Sequence, residues 1–462
     1  MTRIESLTMA RKLAERGELD EAYRLAGNWL MEDPNDVLAL VVTTFILRKA
    51  RKLPEAYHIS KKVTELAPND SAGWINYGQI CNELFRADDA ERAYRRGLSV
   101  SKDDHSKSML YTNLSALYID LGRFDEAHEA AEKSLAHKPD SGPARSNLGF
   151  CQLAKHDWAN GWKNYRACLG TDARKKTVYR NPPEPEWQGE EGKRVVLYGE
   201  QGIGDEICFA SMLPDAIEKC SQVILDIDER LTGLFKRSFP KAHVYGTRNQ
   251  TGLNWAKEDQ LFDCSLAIAQ IGEFYRTKDE DFPATPYLVA DPDRVTMWKS
   301  LFAKKGKPVI GLAWTGGIWQ TGARYRKLQL EQLLPVMQSV DAHFVCLQYK
   351  DASHEIAEFK KRHPEIDIAQ YPYATLTKDY DDTAALVAAL DCVVSVPTAV
   401  VHLGAAIGTP VIAMNSPHRC WKFYGGLQMH PTVDLVPNNG WDKTIMEAAK
   451  RLRGKFEQKE AA

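Results

Sequence analysis

The sequence predicts two architectures in one chain, a solenoid of paired α-helices followed by an α/β region with parallel sheets. Three observations predict this: alanines recur every 34 residues in the first third, three prolines cluster at 182–185, and short β-rich runs then alternate with helical segments. The 462 residues suffice for several cores, at about 100 to 200 residues per domain. The expected parts are a solenoid at 1–170, a proline-containing joint at 171–192, and two α/β halves at 193–305 and 306–462, the second with a C-terminal helix.

Composition and charge exclude several classes of function. Lys and Arg number 60 against 62 Asp and Glu, a net charge of -2, so the chain has no overall basic field for nucleic acid. The first 22 residues are charged and amphipathic, unlike a secretory signal, and no window reaches about 18 consecutive apolar residues. The nine cysteines are scattered and never spaced as CxxC, which argues against disulfide scaffolds and zinc sites. We therefore expect a cytoplasmic protein with no nucleic-acid partner, no integral membrane segment and no metal.

The first third carries a helical repeat. The equivalent alanines are Ala22, Ala56, Ala90 and Ala127. The first three are 34 residues apart, and the fourth follows after 37, with a polar stretch at 101–107 that can hold the insertion. Segment 108–141 resembles the tetratricopeptide-repeat consensus nearly position by position, and the resemblance covers roughly 1–168. Small residues where helices cross and a proline that closes each unit are what stacked helical hairpins need.

One asparagine recurs at an equivalent position of successive repeats. Asn76, Asn113 and Asn147 are separated by 37 and 34 residues, the same register as the alanines. A carboxamide both donates and accepts, so a ladder of three can bind the backbone of a protein or peptide on the concave face. The alternative interpretation is that each one bonds its own local backbone. Val42 occupies the matching position of an earlier repeat, so any ladder is short.

The remainder of the chain predicts two Rossmann-like halves that face each other. Strands are expected at 194–198, 222–226, 309–314, 343–347, 391–395 and 410–414. Their alternation with helical segments predicts parallel sheets with crossover helices, and 283–308 is expected to connect the two halves.

Small residues follow the expected strands in both halves. In the first, a GxG at Gly202 and Gly204 follows a strand but lacks the third glycine of a dinucleotide fingerprint, so we reject an NAD site. In the second, Thr398 precedes a helical run. A helix N-terminus with free N–H groups and a nearby hydroxyl is suited to a diphosphate.

Six motifs together resemble a known family. They are EQGIGD at 200–205, GLAWTG at 311–316, RYRKLQL at 324–330, LQ at 347–348, DDTAAL at 381–386 and VHLGAAIG at 401–408. Over about 193–440 their order is similar to that of the heptosyltransferase family (family 9) of glycosyltransferases, and their pairing with tetratricopeptide repeats resembles bacterial repeat-containing glycosyltransferases. The resemblance implies a GT-B fold, a nucleotide-sugar co-substrate with no further cofactor, donor contacts at Thr315 and Gln348, and an acceptor side at Gly202 and Gly204.

Glycosyl transfer from a nucleotide diphosphate needs a base for the acceptor hydroxyl and positive charge for the leaving group. The resemblance places the catalytic Asp at Asp205. Glu206 is a weaker rival, and the alternative role of Asp205 is to cap a helix.

For the diphosphate we expect a clamp of Arg324 and Arg326, since a guanidinium presents a planar fork to phosphate oxygens. The alternative is a solvated basic loop. Further phosphate contacts are expected from Thr398, the N–H groups of Ala399 and Val400, and His402, whose alternative role is structural.

Two details depart from simple motif matching. Many relatives have Asp before the Thr, whereas this chain has Pro397, which removes a carboxylate and a backbone donor. Asp226-Ile227-Asp228 is similar to the metal-binding DxD of another transferase class, but it continues an apolar strand, so we interpret it as structural.

The sequence therefore predicts a glycosyltransferase that acts on a protein recognised by the repeats. Two alternatives stay open: an enzyme whose acceptor is a lipid-linked or surface saccharide, and a non-catalytic tetratricopeptide scaffold with a nucleotide-sugar-binding domain.

Overall fold

The chain forms two compact units, Met1–Cys151 and Gln152–Ala462. The computed structural model describes residues 1–171, 174–248, 250–251, 253–257, 261–317, 323–416, 420–423 and 429–460, and at 323–324 and 458–460 it describes the backbone alone. Among these residues, no helix combines the length and the apolar character that crossing a membrane requires.

The first unit is a run of helices. They are α1 (Arg3–Glu15), α2 (Leu19–Glu32), α3 (Val37–Lys49), α4 (Leu53–Leu66), α5 (Ser71–Glu83), α6 (Ala87–Val100), α7 (Asp104–Asp120), α8 (Phe124–His137) and the greater part of α9 (Gly142–Ala154). From α1 to α8, each odd-numbered helix packs against the even-numbered helix that follows it, as expected for stacked helical hairpins. The predicted solenoid of paired helices is confirmed.

The repeated residues explain why these helices form and pack. The four alanines of the repeat are all fully buried, because only a small side chain lets two helices cross closely. Asp36, Asp70 and Asp103 are the N-caps of α3, α5 and α7, and each carboxylate accepts from a backbone N–H of the first turn. The insertion before the last alanine lengthens a helix: α7 has 17 residues where α5 has 13.

The second unit begins with α10 (Trp158–Tyr165) and a four-stranded sheet. The strands are β1 (Arg194–Tyr198), β2 (Gln222–Asp226), β3 (His243–Tyr245) and β4 (Cys264–Ala267), all parallel, in the order β3-β2-β1-β4. The helices between and after them are α11 (Ile203–Phe209), α12 (Leu213–Lys219), α13 (Thr232–Ser238) and α14 (Gly272–Tyr275). The order reverses at β1, so the loop after β1 lies where parallel sheets bind ligands.

A second parallel sheet has six strands. They are β5 (Val309–Ala313), β6 (His343–Cys346), β7 (Ile368–Gln370), β8 (Cys392–Ser395), β9 (Val411–Met414) and β10 (Asp434–Val436), in the order β10-β9-β8-β5-β6-β7. The helices of this part are α15 (Pro292–Ala303), α16 (Leu334–Met337), α17 (Ser353–Arg362), α18 (Pro372–Thr375), α19 (Tyr380–Ala388), α20 (Ala399–Ile407) and α21 (Trp441–Glu460). This strand order is that of the doubly wound Rossmann fold, and it reverses between β5 and β8.

The predicted parallel sheets with crossover helices are thus confirmed. All six expected strands are present, each within one residue of its predicted ends. Sequence analysis missed β3, β7 and β10, which have only three residues each, and β4, whose four residues include Cys and Ser beside Leu and Ala. Such short runs carry too few apolar residues to show a strand pattern.

Candidate functional site

The site forms where the loops at the carboxyl ends of β1, β5 and β8 meet. A Cβ placed on Gly204 would lie 3.0 Å from the Cα of Ala399, so the first turns of α11 and α20 are in close contact. A Cβ on Gly316 would lie 2.2 Å from Cγ2 of Thr398, so the loop after β5 is equally close to the start of α20. Glycine at 204 lets a loop of the first sheet approach a loop of the second, and glycine at 316 lets two loops of the second sheet approach each other, so the three loops border one cleft.

Asp205 lies in the first turn of α11. The backbone N–H of Gly202 donates to its Oδ2 at 3.2 Å, which is one half of a capping arrangement. The other carboxylate oxygen, Oδ1, accepts from the ammonium of Lys422, which comes from the other sheet's side of the cleft. The predicted base thus also caps its helix. It forms an ion pair with a residue that lies outside its motif, Lys422.

Lys422 is a residue of the candidate site that the sequence analysis did not identify. Its side chain is 6% exposed, against 29% for that of Asp205. Burial lowers the pKa of the ammonium, but the Asp205 carboxylate and the other neighbouring groups together raise the pKa above its usual value, so Lys422 is charged at neutral pH. The Lys422 Nζ lies 4.9 Å from the ring centre of Phe209 and 5.6 Å from that of Trp421, distances at which aromatic faces attract a cation. A lysine between two aromatic residues in Trp421-Lys422-Phe423 is the one signal in the sequence that could have marked it.

Glu206, the rival base, points elsewhere. Its Oε2 accepts from the N–H of Asp228 at 2.9 Å, and its Oε1 lies 2.7 Å from Nη1 of Arg248. Burial raises the pKa of Glu206 to about 8, against the lowering effect of Arg248. A Cβ on Gly199 would lie 2.1 Å from Oε1 of Glu206, so a larger residue there would have to displace the Glu206 side chain. These contacts hold Glu206 within the first sheet's loops.

The loop after β8 contains residues that we expect to contact phosphate. Thr398 is the N-cap of α20, and its hydroxyl lies 3.2 Å from that of Ser395. Ala399 and Val400 form the first turn of α20, where backbone N–H groups lack partners within the helix. The geometry matches that of a helix start that can bind an anion.

Three further predicted residues lie beside this loop. The side-chain amide of Gln348 and the hydroxyl of Thr315 are 2.6 Å apart, which joins the ends of β5 and β6. Arg326 donates from Nη1 to the carbonyl oxygen of Pro397 at 2.6 Å, and burial lowers the pKa of its guanidinium. The side chain of Arg324 lies outside the described residues. The backbone carbonyl of Pro397 is thus an acceptor that orients Arg326.

His402 is buried and pairs with a second histidine. Its Nδ1 lies 3.0 Å from Nε2 of His430. Burial, with smaller contributions from Lys422 and Arg326, lowers the pKa of His402 to about 3, and burial also places the pKa of His430 well below its usual value. Both imidazoles are therefore neutral at pH 7.

The two histidines and Cys208 form a buried cluster whose ligand atoms lie within 4.8 Å of one another. Cys and neutral His are the side chains that bind Zn²⁺. Burial raises the pKa of the Cys208 thiol to about 12, and Lys422 lies close enough to act on all three groups. A cation site here would need the Cys208 thiolate to form beside the Lys422 ammonium. The sequence predicts no metal.

The loop before Asp205 is anchored by the segment that follows the repeats. Arg174, 2% exposed, forms an ion pair with Glu200 at 2.7 Å. Nε2 of Gln201 donates to the hydroxyl of Tyr165, in α10, at 2.5 Å. These contacts lie within the second unit, and no motif predicted them.

The three asparagines lie in the helices of the repeats. Asn147 donates from Nδ2 to the carbonyl oxygen of Thr112 at 3.1 Å, so it bonds the neighbouring repeat. Asn113 has a buried Nδ2 with no hydrogen-bond partner among the residues that the structure describes. Asn76 is half-buried in α5. Asn147 is therefore engaged by the backbone of the neighbouring repeat rather than by its own local backbone.

Comparison with known proteins places these observations in context. The chain is 29% identical over 470 residues to Protein FlbA of Caulobacter vibrioides, and the match covers 96% of this chain and 77% of FlbA. Among solved structures, MamA is 22% identical with a TM-score of 0.30, and the match covers 34% of this chain and 90% of MamA. A thermophilic TPR protein of Thermus thermophilus is 20% identical with a TM-score of 0.33, with coverage of 36% of this chain and 90% of that protein.

A family model described as tetratricopeptide repeat matches residues 70–140. This segment runs from just before α5 to just after α8, two of the helical pairs described above. These two helical pairs are therefore tetratricopeptide repeats.

Proposed function

We propose that the chain is a glycosyltransferase that uses a nucleotide sugar, without a metal, to glycosylate a protein bound by the repeats. The observation that carries the proposal is that a part-exposed carboxylate, Asp205, shares one cleft with two cations, Lys422 and Arg326. All three lie at loops that follow the carboxyl ends of two parallel sheets, where ligands of this fold class bind. Two such sheets around one cleft are consistent with a GT-B fold.

The chemistry assigns a role to each group. A carboxylate oxygen of Asp205 takes the proton of the acceptor hydroxyl while the hydroxyl oxygen forms a bond to the anomeric carbon of the sugar. The bond from this carbon to the diphosphate oxygen breaks, and the nucleoside diphosphate leaves with the electron pair. Its added negative charge is stabilised by Arg326 and by the N–H groups at the start of α20.

The repeats support a protein acceptor. Tetratricopeptide repeats present an extended concave surface of the kind that binds partners.

The scaffold alternative also has an observation in its favour. Pro397 replaces a carboxylate of the family, and Asp205 is paired with Lys422. A chain that binds nucleotide sugars without turning them over would have both features.

The first experiment screens UDP-, ADP-, GDP- and CMP-sugars by thermal shift, because a ligand of the native state raises the melting temperature. For the nucleotide sugar that binds, Asp205→Asn is expected to keep binding and to lower donor turnover by about 10² to 10⁴, the usual contribution of a general base. Asp263→Asn is the matched control, since it removes a paired carboxylate at the opposite end of β1, where Arg194 holds it at 2.6 Å.

Three outcomes separate the alternatives. Near-native turnover of the Asp205→Asn variant would move the base to another residue. Donor binding without turnover in the wild-type chain would favour the scaffold, and turnover with a saccharide acceptor but not with protein would favour the saccharide alternative.

A further inference from the structure

Lys422 is a buried cation, and among the residues that the structure describes its carboxylate counter-ion is Asp205. Its ammonium contacts Asp205 and also lies near the rings of Phe209 and Trp421. A buried ammonium is stable only with a partner anion, so removal of one partner without a replacement is strongly unfavourable. Whatever draws Asp205 away must therefore bring negative charge to Lys422.

The same cleft offers what an anion needs. Lys422 and Arg326 both lower the pKa of His402, and both interact with the Asp205 carboxylate, so the two cations lie within electrostatic range of the same two groups. Thr398 and the first turn of α20 add a hydroxyl and free N–H groups beside them. Because Asp205 is the more exposed member of its ion pair, an entering anion can replace it at Lys422 while the rest of the cleft stays packed.

We propose that Lys422 is a diphosphate-binding residue and that Asp205 and the diphosphate compete for it. In the unliganded chain the Asp205 carboxylate pairs with the Lys422 ammonium. A bound diphosphate pairs with the ammonium instead and releases the carboxylate. This rests on the proposed function, since it identifies the diphosphate of a nucleotide sugar as the anion.

The competition sets the order in which the donor and the acceptor can react. The carboxylate oxygen of Asp205 that accepts from the Lys422 ammonium is not available to accept the proton of an acceptor hydroxyl. Asp205 is therefore released for that role only after the donor has bound. An acceptor hydroxyl that enters first meets a base that is still occupied, so donor binding precedes activation of the acceptor.

The test measures binding of inorganic pyrophosphate to the full-length chain by calorimetry. If Asp205 competes with the anion, Asp205→Asn should bind pyrophosphate about tenfold more tightly than the wild type, the ratio that corresponds to about 1.4 kcal/mol. Lys422→Gln should bind it at least tenfold more weakly. The double variant should behave like Lys422→Gln, because the gain from Asp205→Asn requires the ammonium. Asp263→Asn, which removes the same charge away from the cleft, should leave the affinity unchanged.

Each result decides the competition. Unchanged or weaker pyrophosphate binding by Asp205→Asn would overturn it, as would an equal gain in Asp263→Asn, which would reflect net charge alone. Should Lys422→Gln fail to fold by circular dichroism, the comparison of Asp205→Asn with Asp263→Asn still decides. Wild-type turnover of a nucleotide sugar without tighter binding in Asp205→Asn refutes the competition and keeps the transferase. Tighter pyrophosphate binding by Asp205→Asn without any wild-type turnover of a nucleotide sugar supports the competition and refutes the transferase.

Discussion

At the scale of single residues, the buried titratable groups of the candidate site make the stability of the fold depend on pH. The folded state lowers the pKa of His402 to about 3 and that of His430 well below its usual value. Below about pH 6.5 the unfolded chain binds protons at both histidines that the folded chain does not, so acid favours unfolding there. Glu206 acts in the opposite sense, since its pKa is raised to about 8 and its proton is held only by the folded chain.

Two variants separate these effects. Between pH 7 and pH 5, each histidine that stays neutral in the folded state costs up to about 2 kcal/mol of stability. The His402→Gln variant is therefore expected to lose less stability than the wild type over this range, and Glu206→Gln to lose more. Urea unfolding at the two pH values measures both differences. Equal losses in all three proteins would mean that neither group is buried as the structure has it.

At the scale of elements, the asparagine positions of α5, α7 and α9 differ in what they do for the fold. Asn147→Ala removes the bond to the carbonyl of Thr112 and is expected to lower the unfolding free energy of the repeats by about 0.5 to 1.5 kcal/mol. Asn113→Ala removes a buried amide nitrogen that has no hydrogen-bond partner among the described residues, so stability should stay equal or rise. Urea unfolding followed by circular dichroism checks both.

For acceptor binding we expect the asparagines without a backbone bond to matter, in contrast to their small effect on stability. If the repeats bind the backbone of a protein acceptor, Asn76→Ala combined with Asn113→Ala should raise the apparent KM for that acceptor while donor hydrolysis without acceptor stays the same. An unchanged KM would leave the asparagines with the role of repeat consensus alone.

The elements also show what the sequence could and could not predict. A 34-residue period predicted the helical pairs because each unit repeats the same packing, with Ala22, Ala56 and Ala90 buried alike. Strands such as β1 and β2 were predictable because a buried parallel strand is a continuous apolar run. The partner of Asp205 was not, since Lys422 lies 217 residues away and has no motif of its own. Motifs identify loops, whereas contacts between loops depend on how the sheets pack.

At the scale of the whole molecule, the second unit includes residues that precede its first strand. The Trp162 indole donates to the carbonyl of Arg276 at 2.9 Å, the N–H of Trp187 bonds the carbonyl of Ser265 at 3.0 Å, and both tryptophans are fully buried. Arg174 is the partner of the buried Glu200. The core of the α/β unit is therefore completed by the segment 152–192.

A truncation series tests this dependence. A fragment of residues 152–462 is expected to unfold cooperatively in urea, because it keeps Trp162, Arg174 and Trp187. A fragment of 193–462 leaves the Glu200 carboxylate buried without its arginine, at a cost of about 3 to 5 kcal/mol, and exposes the surfaces that the two tryptophans cover. Since a domain is stable by only about 5 to 15 kcal/mol, the shorter fragment should lose cooperative unfolding and its near-ultraviolet circular dichroism. The substitution Arg174→Met in the longer fragment is the intermediate case, with lower stability but a retained transition. Cooperative unfolding of 193–462 at the same urea concentration as 152–462 would show that the segment only borders this core.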